Sequence, residues 1–484
     1  MDILAGLGFE IDRDQPMPVF EQICSGIRER IVSGRLGAGT RLPPTRGLAT
    51  EVGVSRSTIV TAYEQLVAEG YLTSRQGSGY TVCDLGGVEL PGTLSIPAKS
   101  PGRPPRALPV RAFQAGRPDM RLFPHRQWAK TVARICRTAP ERMLTGATVA
   151  GNPDLCRAIA AHVAEWRGIE AEAAQVLITA GAGDGLELCL RTLTRPGDSV
   201  GLESPGYPPL EHLLQVHGAR MTEMPVDEEG ARVPGPDKDC RLAILTPSHQ
   251  FPLGGAMSAN RRMEFIRWAQ AQDGWIIEDD YDSEFRYAGR PIPAMAGVDR
   301  LDRTIYVGSF SKIFSNALRL GYLIVPRPLV EPFREAMELS GIKASLMPQQ
   351  ALAEFMQGGD FFRHLRRVRR IYSDRRRFLL AQLSTRFALY GHFEDHHAGM
   401  QVVFHLTCGL TDRDVEAGCA ACGVAVQPLS TYARGQGRSD LNGLVLGFCA
   451  HDEEEMTPAL DVLAEVLASD PDANQGARET RTAR

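Results

Sequence analysis

The sequence has no long hydrophobic run, no strong net charge and no ordered set of cysteines. No apolar stretch approaches the roughly 20 residues that a membrane-spanning helix needs, and the opening MDILAGLGFEIDRD lacks the basic start of a secretory signal. The ten cysteines are scattered, and the one CxxC pair, Cys419 and Cys422, has no second pair or nearby histidine. We therefore expect a cytoplasmic protein with buried, reduced thiols, no membrane contact and no metal site.

The length of 484 residues exceeds what one hydrophobic core supports, and composition divides the chain into four parts. Residues 84–110 are rich in proline, glycine and serine and predict a flexible linker. The polar residues 469–484 predict a disordered tail. The rest of the chain predicts one compact domain before the linker, residues 1–83, and a larger domain between the linker and the tail, residues 111–468.

The larger domain alternates strand-like apolar runs with amphipathic helices, which is the pattern of an α/β fold with a mostly parallel sheet. Its clearest predicted strands cover residues 176–180, 199–203, 242–246, 275–279 and 304–309. Ligands of open α/β sheets collect at the carboxyl ends of the strands. The residues that follow these strands are therefore the candidates for a functional site.

The first domain carries the outline of a helix-turn-helix followed by a hairpin. Residues 45–52 and 56–69 predict two helices, which Thr45 and Ser55 are expected to cap, and Gly53 makes the short turn between them. An amphipathic helix precedes them, and two strand-like segments follow them. This order is that of a winged helix-turn-helix, an arrangement that places its second helix in the major groove of DNA.

Cations and small polar groups cluster in this predicted DNA-facing region. The second helix opens with Arg56, Ser57 and Thr58, and Arg75 of the hairpin is placed for a phosphate contact. Since the domain holds eight arginines against nine acids, a helical interaction module is the alternative. The local grouping of Arg46, Arg56 and Arg75 favours DNA, because phosphate attraction depends on local sign more than on total charge.

A lysine with unusual neighbours follows the last predicted strand, in YVGSFSKIFSNALRLGY. Ser309 and Ser311 flank Lys312, and Arg319 offers a forked guanidinium for a phosphate. A surface lysine in a loop is the ordinary alternative, but hydroxyls, an arginine and glycines beside the amine disfavour it. Pyridoxal 5'-phosphate (PLP) is a cofactor that needs such a set, because its aldehyde forms a Schiff base with a lysine while its phosphate is held nearby.

The strand predicted at 275–279 ends in acidic residues, in GWIIEDDYDSEFRY. A carboxylate at the end of a buried strand is costly unless it is paired, and Asp279 opposite the protonated pyridine nitrogen of PLP meets that need. Tyr281 points the same way on an extended chain and can donate to the phenolic oxygen. A Mg²⁺ site is the alternative, because three aspartates fall within four residues, but no phosphate-binding Walker loop accompanies them.

A phosphate cup is predicted where the strand at 176–180 turns through glycine into a helix. The N–H groups at that helix start, near Ala182 and Gly183, are available to bind a phosphate. Tyr207, in the SPGYPP turn after another strand, either lies against the cofactor or packs structurally, and the pattern leaves both open.

Two sets of motifs resemble known families. The phrases LP-x-x-R, VSR-x-T, AY-x-x-L-x-x-EG and S-x-x-G-x-G resemble the winged helix of the GntR superfamily. By that likeness the DNA-contacting positions are Arg46, Arg56, Ser57, Thr58 and Gly77. TPSHQFPLGGAMS, IIEDDYDSEFRYAGRPIP and YVGSFSKIFSNALRLGYLIVP resemble the MocR/GabR-type regulators, which fuse that winged helix to a fold-type I aminotransferase domain.

The resemblance extends over about residues 15–470 and implies roles for the candidate residues. It implies that Lys312 is the Schiff-base lysine, Asp279 the partner of the pyridine nitrogen and Tyr281 that of the phenolic oxygen. It assigns the phosphate to Ser309, Ser311 and Arg319. It further implies a head-to-tail homodimer that binds double-stranded promoter DNA.

Two positions depart from the aminotransferase pattern. The asparagine of the aminotransferase NP-x-G turn is absent, and His249 and Gln250 are the candidates to take over its polar contacts. Val445 occupies the place of a late arginine that holds the substrate carboxylate in many aminotransferases. Arg434 and Arg438 are its possible substitutes, although nothing in the sequence selects either.

Two functions are compatible with these motifs. The first is a PLP-binding transcription regulator whose effector is PLP itself, with control of vitamin B6 synthesis genes, or an amine or amino acid. The second is an active aminotransferase with an accessory N-terminal domain. The missing arginine favours the regulator, with little or no turnover and with PLP as the signal.

Overall fold

The computed structural model describes residues 11–12, 17–75, 79–85, 112–145, 147–235, 239–341, 343–434 and 441–469. It divides the chain into two compact units, Met1–Arg106 and Ala107–Arg484, which we describe separately. Gly77 and nearly all of the predicted linker and tail lie outside the described residues. The finer domain boundaries at 83, 110 and 468 therefore stay predictions.

The smaller unit combines helices with a two-stranded antiparallel hairpin. Its elements are α1 (Val19–Val32), α2 (Thr45–Val52), α3 (Arg56–Ala68), β1 (Leu72–Arg75) and β2 (Gly79–Val82). The helices and the hairpin share one apolar core, in which Ile27, Ile59 and Tyr63 are completely buried. Helices this short are marginal in isolation, so their stability comes from this shared burial.

The ends of α2 and α3 follow the predicted residues with one exception. The Ser55 side chain caps α3, because its oxygen accepts the Thr58 N–H at 3.2 Å. Gly53 ends α2 with a φ of +67°, a conformation that favours glycine. The prediction that Thr45 caps α2 is wrong: Thr45 is the first helical residue, and Pro44, whose ring fixes φ near its observed −57°, holds the preceding extended position.

The larger unit contains a large mixed sheet, a smaller sheet and the helices packed around them. The large sheet is built from β3 (Val176–Thr179), β4 (Ser199–Ser204), β5 (Arg220–Asp227), β6 (Gly230–Ala231), β7 (Cys240–Leu245), β8 (Trp275–Asp280), β9 (Thr304–Ser309) and β10 (Gly321–Ile324). The smaller sheet is built from β11 (Gly391–Phe393), β12 (Gln401–Leu406), β13 (Gln427–Pro428) and β14 (Gly443–Gly447).

The helices of the larger unit mostly connect successive strands. They are α4 (His125–Thr138), α5 (Pro140–Leu144), α6 (Pro153–Arg167), α7 (Ala182–Leu193), α8 (Pro209–His217), α9 (Ala259–Ala271), α10 (Met295–Val298), α11 (Val330–Ser340), α12 (Met347–Gln357), α13 (Asp360–Arg386), α14 (Asp412–Ala421) and α15 (Glu453–Ala468). Among the described helices, none is long and apolar enough to cross a membrane.

The large sheet has the strand order β3-β10-β9-β8-β7-β4-β5-β6. The five strands from β9 to β5 in that order run parallel, whereas β10 is antiparallel to both of its neighbours and β6 is antiparallel to β5. The predicted α/β fold with a mostly parallel sheet is therefore confirmed. Each of the five predicted strands is present within two residues of its predicted bounds.

Apolar side chains cover both faces of this sheet. Ile178 and Tyr322, on neighbouring strands, belong to one apolar cluster, whereas the adjacent Leu177 and Leu323 belong to another. Successive side chains of a strand point to opposite faces, so the two clusters lie on the two sides of the sheet. Burial on both faces explains why these strands read as continuous apolar runs and leaves the ends of the strands for polar residues.

One expectation about the cysteines is only half correct. Cys419 is buried on α14 as expected, whereas Cys422, just after that helix, is exposed. Both thiols are free.

Candidate functional site

A cleft of about 480 Å³ opens where β8 and β9 end and α7 begins, and we call it the Lys312 cleft. Its lining includes every residue of the larger unit that the sequence analysis proposed as a cofactor contact. These residues are Lys312, Asp279, Tyr281, Ser309, Ser311, Arg319, Ala182, Gly183 and Tyr207. The fold thus gathers candidates from four separate strand ends, as expected for an open α/β sheet.

The Lys312 amine is largely buried in this cleft. Its Nζ donates a hydrogen bond to the backbone oxygen of Gly116 at 2.6 Å. Burial lowers the pKa of the amine, and the nearby carboxylates of Asp282 and Asp279 oppose that shift. A lowered pKa increases the fraction of neutral amine, which is the form that attacks a carbonyl carbon.

Asp279 is the penultimate residue of β8, and its side chain is a buried carboxyl. Its Oδ1 has no hydrogen bond among the described residues, although the residue is only 9% exposed. Burial, together with the neighbouring Asp280 and Glu203, raises the pKa of Asp279 to about 7. A buried acceptor of this kind is stabilised by a cationic N–H donor placed in the cleft.

The three aspartates at the end of β8 and just after it contact different partners. Asp280 forms an ion pair with Arg167, whose Nε lies 2.8 Å from Oδ2, and accepts a hydrogen bond from the Tyr306 hydroxyl at 2.5 Å. Asp282 contacts His249 at 3.1 Å, and Asp279 faces the cleft. These carboxylates therefore do not converge on one point, which disfavours the Mg²⁺ alternative; no group of three His, Cys, Asp or Glu side chains suited to a metal occurs among the described residues.

Backbone N–H groups and a guanidinium face the other end of the cleft. Helix α7 begins at Ala182, directly after Gly181 with a φ of +104°, and its first turn lines the cleft. The Asp184 carboxylate turns back to accept the Ala180 N–H at 2.8 Å, which keeps it engaged with the backbone. Arg319 also lines the cleft, and its side chain has no ion-pair partner among the described residues. This end of the cleft has the composition of an anion site.

Aromatic rings form a further wall of the cleft. The Phe251 ring makes edge-on contacts with Tyr207 at 5.7 Å, Tyr281 at 5.7 Å and Tyr432 at 5.3 Å between ring centroids. Tyr207 is 44% exposed, so it is not held by core packing. Of the two interpretations of Tyr207, its position in the cleft lining favours the one with a ligand contact.

Of the three positions considered for a carboxylate clamp, the structure describes Val445 and Arg434, and neither presents a guanidinium to the cleft. Val445 of β14 is completely buried and pairs with Val403 and Gln427 in the smaller sheet. The buried Arg434 donates from Nη2 to the backbone oxygen of Tyr207 at 2.6 Å. Among the described lining residues, the cations are therefore Lys312 and Arg319; Arg438 lies outside the described residues.

The two candidates for the missing asparagine both make polar contacts beside the cleft. The Gln250 amide donates to the backbone oxygens of Pro205, at 2.9 Å, and Phe251, at 2.8 Å. His249 Nδ1 lies 2.7 Å from the Tyr281 hydroxyl. His249 therefore acts on a residue that lines the cleft.

Several lining residues were missed by the sequence analysis. They are Ala115, Gly116, Thr246, Phe251, Asn316, Gln427 and Tyr432, with the start of α7 around them. Thr246 and Phe251 lie in TPSHQFPLGGAMS, so the motif itself was the available signal. Gly116 and Tyr432 come from distant segments, and no local pattern marks them.

In the smaller unit, the proposed DNA contacts lie around the starts of α2 and α3. Arg46, Arg56 and Ser57 are exposed there. The Arg56 Nε lies 3.5 Å from the Thr45 Oγ1, so the two helix starts are neighbours. This grouping leaves two guanidinium groups free to meet phosphates or bases.

The remaining residues proposed to contact DNA differ in accessibility. Arg75 is exposed at the end of β1, whereas Thr58 is half-buried and its hydroxyl lies 2.8 Å from the Ser55 Oγ. Arg41, which the sequence analysis did not single out, is exposed and its guanidinium lies over Gly79 of β2. Arg41 therefore adds a cation to the hairpin side of this surface.

The comparisons with known proteins agree with this architecture. Residues 20–82 match the bacterial regulatory proteins of the gntR family, and residues 116–463 match the class I and II aminotransferases. Among solved structures, LysN, an α-aminoadipate aminotransferase of Thermus thermophilus complexed with N-(5'-phosphopyridoxyl)-L-leucine, matches with a TM-score of 0.66 and 26% identity, over 74% of this chain and 92% of that one. The larger unit thus has the fold of these aminotransferases.

Two curated relatives match nearly the whole chain. The probable rhizopine catabolism regulatory protein MocR of Rhizobium meliloti is 36% identical over 94% of both chains. The HTH-type pyridoxine biosynthesis transcriptional regulator PdxR of Corynebacterium glutamicum is 35% identical over 96% of this chain and 100% of its own. The chain therefore belongs to the family of transcription regulators that fuse a GntR winged helix to an aminotransferase class I/II domain, and the predicted family is confirmed.

Proposed function

We propose that this regulator binds PLP in the Lys312 cleft and binds promoter DNA through α3 and the hairpin of its smaller unit. The observation that carries the proposal is that two buried groups with complementary chemistry lie in one cleft. Asp279 offers an oxygen without a partner, and Lys312 offers a buried amine with a lowered pKa. A ligand that carries both an N–H cation and an aldehyde satisfies both groups.

The lining residues fit PLP group by group. Asp279 would hold the pyridine N–H, and the pyridinium charge would bring the pKa of that carboxyl back down. Tyr281, whose pKa burial raises well above its usual value, stays protonated and would donate to the phenolic oxygen. The phosphate would be held by the start of α7 with Ser309, Ser311 and Arg319.

The chemistry that PLP supplies when bound is an aldehyde that condenses with primary amines. The protein's own residues would hold the ring, place the carboxyl of Asp279 against the pyridine nitrogen and present the Lys312 amine. Because the backbone oxygen of Gly116 accepts a hydrogen bond from Lys312 Nζ at 2.6 Å, that amine is oriented before any ligand arrives. This preorganisation reduces the cost of ordering the side chain on binding.

The proposed effector is PLP itself, with vitamin B6 synthesis genes as the regulated set. The buried Val445 and the engaged Arg434 support this choice, because neither of these two described residues offers the cleft a clamp for an amino-acid carboxylate. The name of the PdxR relative, which refers to pyridoxine biosynthesis, supports it as well. An amine or amino-acid effector is the alternative, and active transamination is a further alternative because the larger unit has an aminotransferase fold.

Binding of promoter DNA implies a location with the chromosome, so we propose a cytoplasmic protein. The exposed Arg46, Arg56 and Arg75 support a DNA-binding surface. The head-to-tail homodimer stays a prediction, and sedimentation of the purified chain measures it directly.

A gel-shift titration on the DNA upstream of the gene, with and without PLP, tests the proposal. We expect PLP to change the apparent affinity of the wild-type protein and to leave that of Lys312→Ala unchanged. A parallel half-reaction with amino acids measures conversion of the cofactor to its pyridoxamine form. Rapid conversion without DNA binding would establish the enzyme instead of the regulator.

A further inference from the structure

Three polar side chains meet at one ring nitrogen behind the cleft wall. The Tyr281 hydroxyl lies 2.7 Å from His249 Nδ1, and Asp282 Oδ1 lies 3.1 Å from the same nitrogen. His249 is 3% exposed and Asp282 is 1% exposed. Tyr281 lines the cleft, whereas the other two side chains lie behind it. The trio therefore connects the cleft to a buried carboxylate through one imidazole.

Close packing fixes the orientation of the His249 ring. A Cβ at Gly399, whose φ is +78°, would lie 1.9 Å from His249 Cε1, so the backbone approaches the ring at a distance that only glycine permits. On another side, a Cβ at Gly254 would lie 3.3 Å from His249 Nε2. With the ring held between these two glycines, Nδ1 is the nitrogen directed at Tyr281 and Asp282.

The count of hydrogens at Nδ1 decides which way the Tyr281 proton points. A carboxylate only accepts hydrogen bonds, so Asp282 Oδ1 is satisfied only if Nδ1 carries a hydrogen. The other oxygen, Oδ2, has no partner among the described residues, which makes the His249 contact the one that this buried carboxylate has there. We assign the hydrogen to Nδ1 on these grounds. An Nδ1 that carries a hydrogen cannot accept one from Tyr281.

We propose that Asp282 and His249 are positioning residues that keep Tyr281 as a hydrogen-bond donor into the Lys312 cleft. The one hydrogen on Nδ1 is shared between Asp282 Oδ1 and the Tyr281 oxygen, so the Tyr281 hydroxyl does not donate to Nδ1 and its own hydrogen points toward the open side. The proposal rests on the proposed function, in which that hydrogen meets the phenolic oxygen of PLP. His249 thereby takes an orienting role next to the position where the aminotransferase asparagine is absent.

Other charged groups face the trio from neighbouring elements. Asp279 and Glu203 act on Tyr281 from the ends of β8 and β4, and Lys312 lies near Asp282 from the loop after β9. His396, from the loop between β11 and β12, packs against Gly254 on the far side of the His249 ring. These groups stay in place in the His249 and Tyr281 variants, which therefore report on the donor, whereas Asp282→Asn also removes a charge that raises the pKa of Lys312.

The pH midpoint of the PLP absorbance change reports whether the Tyr281 hydroxyl donates this hydrogen bond. A hydrogen bond from Tyr281 disperses the negative charge of the phenolic oxygen, which otherwise holds the proton on the adjacent nitrogen of Lys312. Loss of the donor therefore raises the pH midpoint of the absorbance change. We expect Tyr281→Phe and His249→Phe each to raise it by about 1 pH unit, the size of a weakened charge-assisted hydrogen bond.

A conservative replacement separates orientation from simple packing. Asn in place of His249 presents an amide N–H close to the position of Nδ1, so His249→Asn is expected to keep the wild-type midpoint. Asp282→Asn also removes a charge that raises the pKa of Lys312, so its effect is measured both with Tyr281 present and in Tyr281→Phe, and the midpoint change is expected to be more positive when Tyr281 is present. The double variant His249→Phe/Tyr281→Phe is expected to match Tyr281→Phe alone, because both changes remove the same donor. His405→Phe, which removes another half-buried histidine that stacks on His392, is the matched control and should leave the midpoint unchanged.

The outcomes distinguish this inference from the proposed function. A wild-type protein that develops no absorbance band with PLP would refute both. A wild-type band with an unchanged midpoint in His249→Phe, while Tyr281→Phe shifts it, would refute the positioning role of His249 alone. An equal effect of Asp282→Asn with and without Tyr281 would refute the positioning role of Asp282, and this comparison also serves if His249→Phe fails to fold.

Discussion

At the scale of single residues, Lys312 makes the sharpest prediction. Replacing Lys312 with alanine removes the amine that condenses with PLP, while the side chain's lost contacts are limited to the cleft and Gly116. We expect Lys312→Ala to lose both the near-visible absorbance band and the mass increase that follows borohydride reduction. Its circular dichroism spectrum should match that of the wild type.

A second lysine provides the control for this experiment. Lys343 is 40% exposed and forms surface ion pairs with Asp184 and Glu187. Lys343→Ala should keep the absorbance band and the reduced adduct. A band retained by Lys312→Ala would show that another amine, or none, binds the cofactor.

Glu203 predicts how the stability of the ligand-free protein depends on pH. Burial raises the pKa of this carboxyl from its usual 4.5 to about 7 in the folded protein, while Thr246 and Gln250 partly oppose the shift. The folded state therefore holds the proton more tightly than the unfolded state does. The contribution of this bound proton to the free energy of unfolding is fully present below pH 4.5 and is lost as the pH rises through 7.

The variant Glu203→Gln removes this titration while keeping acceptors for Thr246. We expect the free energy of unfolding of the wild type to fall by about 3 kcal/mol more than that of Glu203→Gln between pH 5 and pH 8. Denaturant titrations of both proteins across that range measure the difference. Parallel curves for the two proteins would show that Glu203 is charged in the folded protein throughout.

Some site residues were accessible to sequence reasoning, and others were not. Lys312 and Asp279 were predicted because Asp279 lies at the end of one apolar strand and Lys312 three residues beyond the end of another, at the ligand edge of the sheet. Gly116, whose oxygen binds the Lys312 amine, lies 196 residues earlier in the chain. Pairings of that kind depend on the three-dimensional path of the chain, and a single sequence contains no local signal for them.

At the scale of secondary-structure elements, α3 predicts the strength of DNA binding. Arg56 is exposed at the first position of α3, beside the start of α2. We expect Arg56→Ala to weaken operator binding by about 1–3 kcal/mol, the cost of one lost base or phosphate contact. Fluorescence anisotropy at fixed salt concentration measures the loss.

The matched control is an arginine of the same unit outside the proposed surface. Arg35 follows α1, is 62% exposed and pairs weakly with Glu29, so Arg35→Ala removes the same charge. It should bind the operator nearly as well as the wild type. Equal losses in both variants would indicate a response to net charge, and α3 would then have no special place in binding.

The elements themselves were predicted unevenly. Four of the five parallel strands (β4, β7, β8 and β9) and β3 were found because burial on both faces produces apolar runs that glycine and polar residues terminate. The parallel strand β5 was missed because only one of its eight residues is buried. β10 is a run of only four buried residues, and such a run carries no signal for its antiparallel direction. The small antiparallel sheet was missed for a related reason, since β13 has two residues and β11 three.

At the scale of the whole molecule, two separate cores predict two unfolding events. The apolar core of the smaller unit consists of residues between 11 and 82, and the clusters of the larger unit contain none of these. Cores that share no residues can unfold independently. We therefore expect two transitions in a calorimetric scan of the full chain.

PLP should raise the midpoint temperature of only one transition, the unfolding of the larger unit that contains Lys312. A ligand that binds one folded unit stabilises that unit by mass action, by about 2.7 kcal/mol at a free concentration 100 times its dissociation constant. We expect the midpoint temperature of the other transition to stay unchanged. In Lys312→Ala, we expect PLP at a concentration that saturates the wild type to leave both midpoint temperatures unchanged. An equal rise of both transitions in the wild type would instead show that the smaller unit gains stability from the cofactor as well, which would make coupling between the units, rather than a local effect, the basis of regulation.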